Sequence, residues 1–470
     1  MKEKLYHYGL KILKLRNKFQ YRSTVLNNIK ELETDFAAKV VTYNENRQFG
    51  YQPNICNAPY SSLYFGIDGY AYACCKNRLF DLGHIKEKTI REIWEGTQIH
   101  ILRDKLANYE FGLGCKDCKE GICASKYANV MAAAYDTPFL PTTEYPERMD
   151  FELSATCNLA CTMCDGNLSS TYRKHFHHLS PKKDRYDSDF VAQLDEYIPH
   201  LKKVNFLGGE PFLIAIYYEI WEKLIQYNPK CSINIQTNGH VLNNKVKTLL
   251  SKGKFSIGIS LESIQKSRFE SIRLYGNFDR FLENLTYFKA YCYTQKTHFT
   301  LAITPLRETI DELEDFVHFA NTNKAYIYFN TITEPHNKAI WTLPAKDIKN
   351  ILDTFQNTKL PTSNHIEQAN AHQFYSYYNQ IKEWYNDAIM IENSIKLNQQ
   401  IQRIVFVQNI VNKCINDNNF NNDLNEKMKN YLFNYINNIK DERLLHLYYN
   451  IEPSKIFFEV FRNYNNMGDN

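Results

Sequence analysis

The stretch that decides the fold reads Thr156-Cys157-Asn158-Leu159-Ala160-Cys161-Thr162-Met163-Cys164-Asp165, with its cysteines spaced C-x3-C-x2-C. Three thiolates this close can hold three corners of a [4Fe–4S] cluster, and no fourth cysteine follows nearby. One iron then stays open to a ligand, whereas clusters in simple electron carriers usually have four cysteines. An open iron is a place for chemistry, much as a catalytic zinc keeps an open position. On the motif alone two other readings compete: zinc with a distant fourth ligand, and reduced thiols packed in a core.

Working outward, the chain alternates strand, loop and helix from about residue 148. Strands are predicted over 149–154, 203–208, 232–237, 255–261, 298–304 and 326–332. Helical periods fall between them over 212–227, 243–251, 279–293 and 309–321. Six such units predict a parallel sheet covered by helices, with reactive loops at the C-terminal ends of the strands. The cysteine motif follows the first strand at that end. The second strand ends in Phe206-Leu-Gly-Gly-Glu-Pro211. Its glycines let backbone approach a ligand closely, and its carboxylate can accept hydrogen bonds from an ammonium group. Alone, Gly208-Gly209-Glu210 reads equally as a strand-end turn.

Taken together, C-x3-C-x2-C and a Gly-Gly-Glu turn one βα unit later resemble the radical S-adenosylmethionine (SAM) superfamily. The resemblance implies that Cys157, Cys161 and Cys164 hold a [4Fe–4S] cluster whose open iron chelates the SAM methionine. It implies that Gly208, Gly209 and Glu210 bind the methionine amino group. Polar groups at later strand ends would contact the SAM ribose and carboxylate: Thr237 and Asn238, then Ser260, Glu262 and Arg273. Thr237-Asn238-Gly239 alone is a polar turn, and many relatives carry Asp at the position of Glu262. The Arg273 fork suits a carboxylate, with a surface ion pair as its competing reading. The fifth strand ends at Ala302-Ile-Thr-Pro305, an expected wall of the adenine site. After the sixth, Glu334 and His336 either face a substrate or stand as solvated loop residues.

A second set of cysteines precedes these units: Cys56, Cys74, Cys75, Cys115, Cys118 and Cys123. A hairpin turning at Asp68-Gly69 and a later C-x2-C can converge on one metal, either zinc or an iron–sulfur cluster. With Gly83-His84-Ile85 and Glu92-Ile93-Trp94 between, the pattern looks like the SPASM/twitch auxiliary-cluster domain. That implies an auxiliary [4Fe–4S] cluster on Cys56, Cys74, Cys115 and Cys118, with Cys75 and Cys123 spare or one of them replacing a ligand. A helix is predicted over 89–106, with Ile90, Ile93 and Trp94 inward.

Composition bounds the rest. The chain has 470 residues, twelve cysteines and a formal net charge of +4. A secreted disulfide scaffold would be shorter and carry a signal sequence, so metal binding in a reducing cytosol, and a cytoplasmic location, are expected. The balance of charge gives no case for nucleic acid, and no apolar run is long enough to span a bilayer. The basic N-terminus, MKEKLYHYGLKILKLRNKF, reads either as a helix packed on its own protein or as one lying on a membrane surface.

The expected organisation is a helical segment (1–49), a SPASM/twitch-like domain (50–125), a radical SAM partial (β/α)6 barrel (148–344) and a helical region (345–470). By resemblance the chain is an enzyme that cleaves SAM reductively to a 5′-deoxyadenosyl radical, which abstracts hydrogen from a substrate. The substrate is expected to be a peptide or protein, with a small polar metabolite such as a sugar or cyclitol as the alternative. A non-catalytic iron–sulfur or zinc scaffold is the third reading. A flavodoxin or ferredoxin is the expected electron donor.

Overall fold

The computed structural model describes residues 2–127, 130–140, 143–397, 403–417 and 426–450. Its described strands are β1 (Ser62–Phe65), β2 (Tyr70–Tyr72), β3 (Gly83–His84), β4 (Arg148–Phe151), β5 (Ala160–Cys161), β6 (Lys203–Phe206), β7 (Ser232–Thr237), β8 (Phe255–Leu261), β9 (Arg273–Leu274), β10 (Phe299–Ile303) and β11 (Tyr326–Phe329). The chain divides into two units. The first is Met1–Asn158, Asp165–Thr237 and Val241–Ile257; the second is Leu159–Cys164, Asn238–His240 and Gly258–Asn470. The division therefore cuts the chain inside the cysteine motif and inside β8.

In the first unit β7, β6, β4 and β1 pair in parallel, in that order. β1 then pairs antiparallel with β2, and β2 with β3. The strands are short and apolar on the buried side; β7 alternates, with Ile233, Ile235 and Thr237 buried and its other residues less so. Register sets Phe65 beside Phe151 and Phe151 beside Phe206. Their rings stack at 5.7 and 5.1 Å between centroids. Burying each such side chain stabilises the fold by about 1.5–3 kcal/mol. Thus β1, from the small N-terminal segment, extends the same parallel sheet as β4.

The second unit contains the parallel pair β10–β11 and the short antiparallel pair β5–β9. Helices Ala345–Phe355 and His365–Leu397 pack on it through Ile348, Leu352, Phe374, Tyr377 and Ile381. Further helices follow at Arg403–Asp417, Glu426–Asn437 and Glu442–Asn450. The predicted helical region reaches to 470, and its portion 451–470 lies outside the described residues.

The strand expected over 326–332 ends at Phe329, and three other boundaries differ from expectation for physical reasons. The helix predicted over 89–106 is two, Ile90–Trp94 and Thr97–Ala107. Thr89 and Glu92 form a capping box on the first, and Gly96 caps the second so tightly that a Cβ there would lie 2.2 Å from Glu92 O. β4 stops at Phe151 because Leu153 N donates to the Tyr217 hydroxyl, at 2.9 Å, instead of to a strand. β6 stops at Phe206 because Gly208 has φ +108°.

Candidate cluster and cofactor sites

In the first unit the segment 154–157 and the Gly-Gly-Glu turn are laced together by backbone. Gly209 N donates to Ser154 O at 3.0 Å and Glu210 N to Thr156 O at 2.8 Å. A Cβ on Gly208 would sit 2.8 Å from Ser154 O, and one on Gly209 2.3 Å from Thr156 O. The glycines are therefore required by close approach as well as by φ. Glu210 is fully buried; its Oε1 accepts from Thr237 Oγ1 at 2.7 Å and Phe212 N at 3.2 Å. Cys157 is half-buried, and its N donates to Ser170 Oγ at 3.1 Å. Its carbonyl accepts from Thr171 Oγ1 at 2.6 Å.

One buried side chain fixes both strand ends. The Tyr217 hydroxyl accepts from Leu153 N and lies 2.9 Å from Phe151 O and 2.8 Å from Leu207 O. Sequence reasoning missed it, because on the helix Ala215–Tyr227 it sits among Tyr218, Ile220, Trp221 and Leu224 and reads as core.

In the second unit Cys161 lies in β5, opposite Arg273 of β9, and Thr162 N donates to Ile272 O at 2.8 Å. Cys164 N donates to Cys161 O at 2.9 Å, closing a tight turn. Arg273 and Glu262 form a forked ion pair, with Nη2 2.8 Å from Oε1 and Nε on Oε2, both side chains 3% exposed. Arg273 is thus no surface ion pair; its fork is committed to Glu262 and steadies the strand that carries Cys161. Ser260 is half-buried in β8.

The Thr-Asn-Gly turn proves buried. Asn238 Oδ1 accepts from His240 N at 2.9 Å, and Asn284 Nδ2 donates to Gly239 O at 2.9 Å. His240 Nδ1 lies 3.0 Å from Asn238 O, while Nε2 accepts from Asn277 N at 3.1 Å. The neutral tautomer with its proton on Nδ1 satisfies both contacts. Burial first, then Arg273 and Arg280 nearby, hold its pKa down at about 4 against the Nδ1 hydrogen bond to Asn238 O. Glu334 is exposed, and His336 Nε2 meets the Tyr448 hydroxyl at 2.7 Å. Sequence reasoning also missed Glu312, fully buried and accepting from Ser263 Oγ and Ile264 N, both at 2.7 Å.

The N-terminal set lies wholly in the first unit. Cys56, Cys74, Cys115 and Cys118 are half-buried and within electrostatic range of one another. They do not converge on the spacing of a single metal ion. Burial raises all four thiols, Cys74 to about 11. Ala58 N and Asn77 N donate to the sulfurs of Cys56 and Cys74, each at 3.4 Å. Asn77, also missed, bridges two segments: its Nδ2 donates to Leu113 O at 2.8 Å and to Cys115 Sγ at 3.4 Å. Cys118 receives backbone N–H groups from Met131 and Ala132. Cys123 is exposed with Lys and carboxylate neighbours, and Cys75 faces Asp150 and Arg148. Buried thiols with amide donors suit a cationic group that would take their protons' place.

Two family models match the chain. Residues 151–320 match the Radical SAM superfamily, and residues 56–119 match SPASM, an iron–sulfur cluster-binding domain. A GTP 3′,8-cyclase of Lactiplantibacillus plantarum is 26% identical over 213 residues, 43% of this chain and 60% of that protein. A GTP 3′,8-cyclase of Listeria welshimeri is 28% identical over 181 residues, 37% of this chain and 50% of that protein. The chain therefore spans only 50–60% of the length of these relatives. Among solved structures, Streptococcus suis SuiB bound to S-adenosylmethionine is 15% identical, with a TM-score of 0.33, covering 57% of this chain and 61% of that one.

Proposed function

We propose, from a chain that carries a radical SAM domain behind an iron–sulfur cluster-binding domain, that it is an enzyme generating a substrate radical from S-adenosylmethionine. The observation that carries the reading is the Gly208-Gly209-Glu210 turn hydrogen-bonded against the chain that enters Cys157. When bound, a [4Fe–4S] cluster on Cys157, Cys161 and Cys164 supplies the electron that cleaves SAM to methionine and a 5′-deoxyadenosyl radical. Glu210, fixed by Thr237 and Phe212 N, presents a buried carboxylate to the methionine ammonium. The glycines keep that approach open. Asn238 and Ser260 offer polar groups at the following strand ends, and Arg273 with Glu262 positions the strand of Cys161. Cys56, Cys74, Cys115 and Cys118 would hold the auxiliary cluster, whose chemistry would be to accept an electron from a substrate radical or to orient substrate. A flavodoxin or ferredoxin is the donor.

For the substrate, a peptide or protein is our first reading, resting on the resemblance of the N-terminal cysteine pattern to auxiliary-cluster enzymes, many of which modify peptides. A small polar molecule is the second reading, favoured by the curated relatives named for a cyclase of GTP. Anaerobic reconstitution with iron and sulfide, then SAM and dithionite, tests the chemistry: 5′-deoxyadenosine is expected, and its absence from cluster-loaded protein overturns the proposal. Glu210→Ala should weaken SAM binding by about 1.5–3 kcal/mol with iron content unchanged. An unaltered SAM-induced shift in the paramagnetic spectrum removes Glu210 from the site.

A further inference from the structure

The helix Lys2–Asn28 packs on its own unit by one face. Asn17 and Val25 are buried there, and Asn17 Nδ2 donates to Phe49 O at 2.9 Å. On the opposite face Tyr8, Ile12, Leu15 and Phe19 are 65%, 50%, 58% and 87% exposed. Their spacing, i, i+4, i+7 and i+11, makes them one narrow stripe. At about 100° per residue, Lys11 and Lys18 fall along one border and Arg16 along the other. The Arg16 guanidinium lies over the Phe139 ring, 4.9 Å from its centroid, and Phe139 and Leu140 are exposed as well. From Lys4 to Lys30 the chain has five lysines, two arginines and no acid, more positive charge than the net +4 of the whole protein.

We propose that this face docks on an anionic lipid bilayer, with the stripe at the headgroup boundary and the bordering bases against lipid phosphates. Charge selects an anionic occupant. Shape selects a bilayer over an acidic protein, because a convex single helix with bases on both borders fits a planar surface, whereas a protein partner would need an acidic-rimmed groove. No described helix is long and apolar enough to cross a membrane, so the contact is peripheral. A stripe of four side chains is too narrow to hold without charge. Binding should therefore need anionic lipid and fall with salt.

The test is co-sedimentation of the full chain with vesicles of phosphatidylcholine alone, or with about one quarter phosphatidylglycerol. Binding is expected only to the latter, falling at least about tenfold on going from low to high salt. Ile12→Ser with Phe19→Ser, and separately Lys11→Glu with Lys18→Glu, should each lower partitioning by about tenfold or more. These positions are exposed, and unchanged circular dichroism verifies the fold. Equal binding to both vesicles, binding to neither, or a parent dimer that the Ile12/Phe19 variant turns into a monomer would each overturn the proposal; the last would assign the stripe to a second copy.

Discussion

The two cysteine sets are built by opposite means. Cys56, Cys74, Cys115 and Cys118 are scattered over the first unit; local turns bring Ala58 N to Cys56 and Asn77 N to Cys74, while the fold brings the Asn77 side chain to Cys115 and the amides of Met131 and Ala132 to Cys118. Cys157, Cys161 and Cys164 are nearly consecutive, and what is held around them is their backbone: the chain entering Cys157 meets two glycine approaches and the Ser170 and Thr171 hydroxyls, and Cys161 is held in the β5–β9 pair. The first set depends on tertiary structure to exist. The second needs only a loop held at its ends. Scattered ligands would suit a cluster that stays fully coordinated, and three closely spaced thiolates with no fourth nearby would leave one iron open.

The largest expected effect breaks the second set alone. Replacing Cys157, Cys161 and Cys164 with Ala should abolish 5′-deoxyadenosine formation while leaving about half of roughly eight irons, read by iron analysis. Loss of all the iron would mean that the sets are not independent. Next, Cys115→Ala with Cys118→Ala should abolish product from the true substrate yet retain substrate-independent SAM cleavage. Normal product from a folded double variant would make the first cluster structural.

A third expectation concerns the loops after the strands. His240 takes its proton near pH 4 in the fold and near 6.5 when unfolded. The unfolded state therefore binds more protons between these values. Stability holds above pH 6.5, falls as pH drops through the window and levels below 4, losing up to roughly 3 kcal/mol from this site. Denaturant midpoints across that range should show the slope in the parent and lack this component in His240→Gln. The smallest effect is Asn77→Ala, which should cost about 1–3 kcal/mol by stranding Leu113 O and removing the donor to Cys115. If thermal unfolding of the iron-loaded protein does not move, Asn77 does not organise the first set.

Local pattern made part of this legible. β7 and β8 fall where Ile233, Ile235, Ile257 and Ile259 alternate, and the hairpin turns at Asp68-Gly69, where Gly69 has φ +86°. What escaped was tertiary. Tyr217 acts on residues 10 to 66 positions away, Asn77 on a cysteine 38 away and Glu312 on a serine 49 away. Each looks locally like an ordinary core or loop residue, and only the folded chain gives its polar atom a partner. Arg273 illustrates a different limit: its type announced a carboxylate partner, but not that Glu262 would be that partner.

The pairing of β1 with β4 has a consequence for how the protein is made. Every cysteine of the first set leaves the ribosome before Arg148 does, so β1 waits about 80 residues for its parallel neighbour. At 5–20 residues per second that is roughly 4–16 s with one edge of the nascent hairpin open. A fragment ending near residue 125 would freeze the chain in that condition permanently. The N-terminal segment is therefore better regarded as the first instalment of one sheet than as a detachable module.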